Sequence, residues 1–247
     1  MNTSAELIQE VTLRWTSCAA TDVGHMRRAN EDSFLDAREQ GLWVVADGMG
    51  GHSRGDVASQ SIIEHLADFK RGDTAEESVN DLRQRLAETN AACRQHAKGD
   101  VMGSTVAILL SQGDLCYFLW AGDSRVYRLR DDVLEQITED HSLVQELCNL
   151  GEITPEEAEN HPSSNVITRA VGVHDRLNVD VLESPVKAGD RFLLCSDGLF
   201  KDVKFDEIKA GLASPTPQQA LRNLVVQALA RGGTDNVTGI VVQAAYN

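Results

Sequence analysis

Apolar residues fall into short runs separated by polar turns along most of the chain, and into one-sided helical stripes at three places. The runs predict strands over residues 13–19, 33–36, 42–46, 104–110, 115–121, 126–130 and 133–136, and again over 178–182, 190–195 and 237–243. Residues 21–30 read as a polar turn and 48–51 as a loop. Val57, Ala58, Ser61, Ile62, His65, Leu66 and Phe69 share one face of a predicted helix. Val79, Leu82, Leu86 and Cys93 form the inner face of a second, over 75–97. Ala220/Leu221, Leu224/Val225 and Ala228/Leu229 give a third, over 218–230. Residues 139–172 differ: they are polar, with two short helical candidates at 142–150 and 155–160. Thr154 reads as an N-cap, Pro155 as the first helical residue and Glu157 as the partner in a capping box. Strands in two groups with interleaved helices predict a layered α+β fold with mainly antiparallel sheets, without the βαβ rhythm of a dinucleotide-binding domain.

The 247 residues are 42% hydrophobic and 25% charged, which suits a single globular domain over 1–247 and excludes disordered or coiled-coil classes. No apolar run approaches the roughly 18 residues of a membrane span. The opening MNTSAELIQEVTLRW holds two Glu and no apolar stretch, so no signal peptide is expected. With 23 Lys+Arg against 38 Asp+Glu, the formal charge of −15 disfavours nucleic acid and anionic lipid as partners. Cysteines 18, 93, 116, 148 and 195 form no CxxC pair, which predicts buried thiols in a reducing cytoplasm rather than disulfides or a zinc cage.

One chemical pattern recurs. Asp47 follows the run LWVVA, Asp123 closes CYFLWAGD, Asp197 closes RFLLCSD, and Asp235 stands just before the final strand; Glu31-Asp32 adds a fifth acidic position. Ionised carboxylates at the tips of buried strands are costly unless compensated, and side-by-side tips would bring them together around cations. All-oxygen donors select Mg²⁺ or Mn²⁺ over zinc. The competing reading is local, because Asp-Gly is a common hairpin turn and single Asp residues often cap or face solvent. Other motifs fail: Gly48-Met-Gly-Gly-His-Ser departs from GxGxxG, and no Walker A, EF-hand or GxSxG sequence occurs.

RRANEDS, VVADGMGGH, GSTVAILL, WAGDSRVYRL, ITRAVG, LLCSDGLF and GGTDNVT occur in this order over roughly residues 17–242. Together they resemble the metal-dependent serine/threonine protein phosphatases of type 2C (the PPM family), particularly the stand-alone bacterial form. The resemblance implies a four-layer α-β-β-α sandwich, two central antiparallel sheets flanked by helix pairs. It implies that Asp47 bridges two Mn²⁺ or Mg²⁺ ions, that Asp197 and Asp235 complete one shell, and that the Gly48 carbonyl with Glu31 and Asp32 serves the other. Asp123 matches the ligand of a third, weaker ion shared with Asp197, and Arg27 the phosphate-binding arginine. Residues 139–172 match the family's mobile substrate flap.

In that family a water between two ions attacks phosphorus in line, without a phospho-enzyme. This chain carries Met49 where eukaryotic members have the histidine usually assigned as general acid, so that role stays unassigned; His52 does not stand at the matching position. The resemblance implies phosphoproteins as substrates, including a cognate serine/threonine kinase and its targets, and a monomer is expected. The net charge favours substrates with basic flanks, or docking through the flap. Two alternatives stay open: a catalytically silent phosphoprotein-binding scaffold, and a hydrolase of small phosphate esters.

Overall fold

Strand β3 (Leu42–Gly50) shows how the layers arise. Leu42, Val44 and Ala46 enter a cluster with Ile62, Leu66, Leu82 and Leu86, whereas Trp43 and Val45 join Phe118, Phe192 and Ile240 on the opposite side. A strand buried on both faces belongs in the middle of a stack, since successive side chains point opposite ways. The computed structural model describes residues 13–50, 54–97 and 102–246.

The first sheet runs β1 (Leu13–Asp22), β11 (Val237–Tyr246), β10 (Arg191–Cys195), β7 (Arg125–Arg130), β8 (Val133–Gln136). The second runs β2 (Asp32–Ala37), β3, β5 (Val106–Gln112), β6 (Leu115–Ala121), β9 (Asp180–Pro185), with β4 (Met102–Ser104) paired to the end of β3. Every pairing is antiparallel. Helices α1 (Gly55–Ala67) and α2 (Ala75–Ala97) cover the second sheet, burying Val79, Leu82 and Leu86 against it. On the first sheet, α6 (Phe205–Leu212) and α7 (Pro217–Ala230) bury Ile208, Leu212, Leu221 and Leu224 against Leu193 and Val241. The fold is therefore α+β, a sandwich of two antiparallel sheets with helices outside. The polar stretch carries α3 (Leu143–Asn149) and α4 (Pro155–Glu159), with Thr154 and Glu157 closing the expected capping box.

Three local expectations change. Gly48–Gly50 is not a loop but the end of β3, paired with Met102–Ser104. The buried face of α1 comprises Gly55, Ala58, Ser59, Ile62, Ile63 and Leu66; Val57 is 47% exposed and His65 is exposed. The stripe is rotated because Gly55 packs on the Gly48 backbone and the Ser59 hydroxyl donates to the Glu31 carbonyl at 2.6 Å, so small and polar residues occupy the inner face. Helix α6 was absent from the sequence pattern: in eight residues its only buried positions are Ile208 and Leu212, too few to set a period. Gly51 and His52 lie outside the described residues, as does most of the N-terminal stretch read for a signal peptide.

Candidate active site

The carboxylates meet where the strand ends of the two sheets lie together. In the β2–β3 ladder Asp32 is the register partner of Asp47. The Asp47 backbone is held on both sides: its N–H donates to Thr105 Oγ1 at 3.0 Å, and its carbonyl accepts from the Thr105 N–H at 2.8 Å. Asp32 is buried and accepts from Ser196 Oγ at 2.7 Å, one residue before Asp197. Asp197 opens the four-residue turn α5 (Asp197–Phe200) after β10, and Asp123 lies between β6 and β7. Asp235 precedes β11, where Asn236 pins the Arg27 loop: its amide donates to the carbonyls of Val23 (2.9 Å) and Ala29 (3.0 Å), and its side-chain oxygen accepts from the Glu31 N–H at 2.8 Å.

Neither Asp-Gly pair is a hairpin turn. Gly48 and Gly198 are absent from the positive-φ positions of the described backbone. They are needed for closeness: a Cβ on Gly48 would collide with the carbonyl oxygens of Gly55 and Glu31, and one on Gly198 with that of Asn236. The tight turn with two left-handed residues is instead Asp131-Asp132, φ 49° and 61°, joining β7 and β8.

Electrostatics show that the five aspartates converge. Burial pushes the Asp47 carboxyl well above its ordinary range, and Asp32, Asp197, Asp123 and Asp235 push it the same way. Burial raises Asp32 to about 6, partly relieved by hydrogen bonds, and Asp123 to about 7 with Asp197 adding to the effect. Glu31 is raised by burial and by Asp56, with Arg27 opposing. Two cations answer this charge: Arg27 Nη2 meets Asp235 Oδ2 at 2.6 Å, and Lys201 Nζ meets Asp197 Oδ2 at 2.6 Å. Asp32 Oδ1 and Asp123 Oδ1 are buried with no hydrogen-bond partner. Among the described residues, no three acidic, imidazole or thiolate side chains close around a single ion position.

Residues 25–230 match the family model described as protein phosphatase 2C. This chain belongs to the protein phosphatase 2C family. It is 39% identical over 236 residues to the serine/threonine phosphatase stp of Listeria innocua, spanning 90% of this chain and 93% of that one. It is 45% identical to the solved structure of PppA, described as a key regulatory component of the T6SS in Pseudomonas aeruginosa, with TM-score 0.88 over 95% of this chain and 99% of that one. The catalytic domain of the serine/threonine phosphatase PstP, solved in complex with two manganese ions, superposes with TM-score 0.85 at 37% identity, covering 95% of this chain and 100% of that one. The family is metal-dependent, and this phosphatase offers the donors such a centre needs. They are hard oxygens alone, two of them buried and unpartnered, in a cluster whose mutual repulsion divalent cations would relieve.

Sequence reasoning missed Lys201. Its signal was the Asp197-x-x-x-Lys201 spacing, which puts cation and carboxylate on one side of a helical turn, but such spacing is common on solvated surfaces and does not stand out.

Proposed function

We propose that this phosphatase hydrolyses phosphoserine and phosphothreonine in proteins, including a cognate serine/threonine kinase and its substrates, using a binuclear Mn²⁺ or Mg²⁺ centre. The observation that carries the reading is the convergence of Asp32, Asp47, Asp123, Asp197 and Asp235 at the strand tips, with burial and mutual repulsion raising Asp47, Asp32 and Asp123. In this reading Asp47 would serve both ions, Asp197 and Asp235 would complete one set of donors, and the Gly48 carbonyl with Glu31 and Asp32 would supply the other. Bound divalent ions supply an activated water near neutral pH and neutralise charge on the phosphoryl oxygens.

The chain's own residues do the rest. Arg27, its side chain 52% exposed beside Asp235, presents a planar fork that suits two phosphate oxygens. Thr105 and Ser104 fix the Asp47 backbone, and Ser196 orients Asp32 by hydrogen bonding, so the carboxylates are positioned before substrate arrives. Residues 139–172 act as a flap that contacts substrate; α3 and α4 within it have no buried residue, as suits a segment of low local stability.

The test is hydrolysis of a phosphothreonine peptide with Mn²⁺, beside an EDTA control and an Asp197→Asn variant. Turnover that needs metal and disappears in the variant is expected. A folded wild type that binds Mn²⁺ yet shows no turnover on phosphopeptides overturns the enzymatic reading in favour of phosphoprotein binding, and turnover of small esters alone would reassign the substrate.

A further inference from the structure

Lys201 joins three parts of the molecule. It follows Asp197 by four residues, so the turn α5 carries its ammonium back over the Asp197 carboxylate, 2.6 Å from Oδ2. On its other side the same Nζ donates to the side-chain oxygen of Asn165, in the 139–172 segment, at 2.7 Å. Asp123 and Asp47 also favour the charged ammonium; burial works against it, yet its pKa is raised overall. Asp123, in turn, keeps a buried Oδ1 without a partner. The turn bearing Lys201 is held from beneath: the Arg125 guanidinium lies 3.7 Å from the Phe200 ring centroid and grips Asp140 through Nε at 2.9 Å and Nη2 at 2.7 Å.

An exposed i,i+4 ion pair is ordinarily worth little. This one differs in two respects. The Asp197 side chain is only 15% exposed, so its charge is poorly screened by solvent. The ammonium also bridges segments 36 residues apart, so it does more than decorate one turn.

We propose that Lys201 is a built-in cation between Asp197 and the 139–172 segment, opposing a third metal ion at Asp123 and Asp197 and latching the segment through Asn165. The proposal rests on the metal-centre reading above. A compact ammonium has three donors and one positive charge; here two donors serve Asp197 and Asn165. A third divalent ion at Asp123 and Asp197 would have to displace that charge or lie against it, so this chain holds two ions and keeps its flap tethered without a third.

The experiment counts Mn²⁺ ions per chain by calorimetric titration. In parallel, without added metal, it measures cleavage by a glutamate-specific protease at Glu146, Glu152, Glu156, Glu157 and Glu159, located by mass spectrometry. Wild type, Lys201→Met, Lys201→Arg and Asn165→Ala are compared. Lys201→Met keeps the aliphatic stem and removes the charge. It should gain one weak Mn²⁺ site and be cut roughly three- to tenfold faster, the loss of one solvent-exposed hydrogen bond. Lys201→Arg should restore both values, and Asn165→Ala should speed cleavage while keeping the wild-type ion count. A Lys201→Met protein with the wild-type ion count, or with unchanged cleavage, overturns the assignment while leaving the binuclear centre intact. A wild type that binds no Mn²⁺ overturns the metal-centre reading and this assignment with it.

Discussion

Asp32 and Asp47 are partners across the β2–β3 ladder, and like charges directly opposite one another destabilise a sheet. Such a pair persists where something other than stability selects it. Around it the individual residues divide the labour: Ser196 satisfies one oxygen of Asp32, Arg27 balances Asp235, and Lys201 balances Asp197. Arg27 is the most exposed of these. Truncating it removes a charge-assisted bidentate grip on substrate phosphate, so Arg27→Ala should lower kcat/KM roughly 10- to 100-fold. Arg27→Lys keeps the charge but lacks the fork and should recover only part of that loss. Unchanged kcat/KM in Arg27→Ala, from initial rates on a phosphothreonine peptide, would remove Arg27 from phosphate binding.

At the scale of elements, the strands were legible and their ends were not. The Asp47, Asp123 and Asp197 positions stood out because apolar runs end abruptly in acid, and the runs became β3, β6 and β10. Gly48–Gly50 escaped because glycine carries no hydrophobic signal; that stretch is strand because β4 pairs with it and Gly55 packs on it, both tertiary facts. Helix α4 was legible down to its cap because a capping box is a local device. Thr154 Oγ1 accepts from the Glu157 N–H at 3.3 Å, and the Glu157 carboxylate accepts from the Thr154 N–H at 2.8 Å. Thr154→Ala should remove about 0.5–2 kcal/mol of local stability. Because α4 buries no residue, amide exchange over 156–159 should accelerate while the melting temperature of the whole protein stays within about 1 °C. A lower global melting temperature would mean that α4 is packed more firmly than its exposure indicates.

For the whole molecule, the carboxylate cluster ties stability to pH and to metal. Asp32 at about 6 and Asp123 at about 7 lie above the usual aspartate value of about 3.9, because burial favours their protonated forms. Between these values the folded metal-free chain holds protons that the unfolded chain has released. The stability contributed by these two groups is therefore full below about pH 4 and is lost as pH rises through 6 and 7. Divalent ions act in the opposite sense, binding the ionised cluster. At Mn²⁺ concentrations about 100-fold over Kd the melting temperature should rise by roughly 5 to 11 °C at pH 8. The gain should be less than half as large at pH 5.5, and EDTA should reverse it. An equal gain at both pH values, by scanning calorimetry, would place the ions away from Asp32.

The sequence by itself determined the layered antiparallel architecture, because alternating apolar runs and helical stripes specify which faces must be buried. It also marked Asp47, Asp123 and Asp197 as acids that end buried runs, and the fold brings them together with Asp32 and Asp235. Tertiary structure alone decided that Gly48 and Gly198 serve close packing rather than turns, that Ser59 belongs inside, and that Lys201 reaches from Asp197 to Asn165. Each of these depends on which backbone or side chain arrives from a distant part of the chain, and such meetings leave no periodic mark on either segment alone.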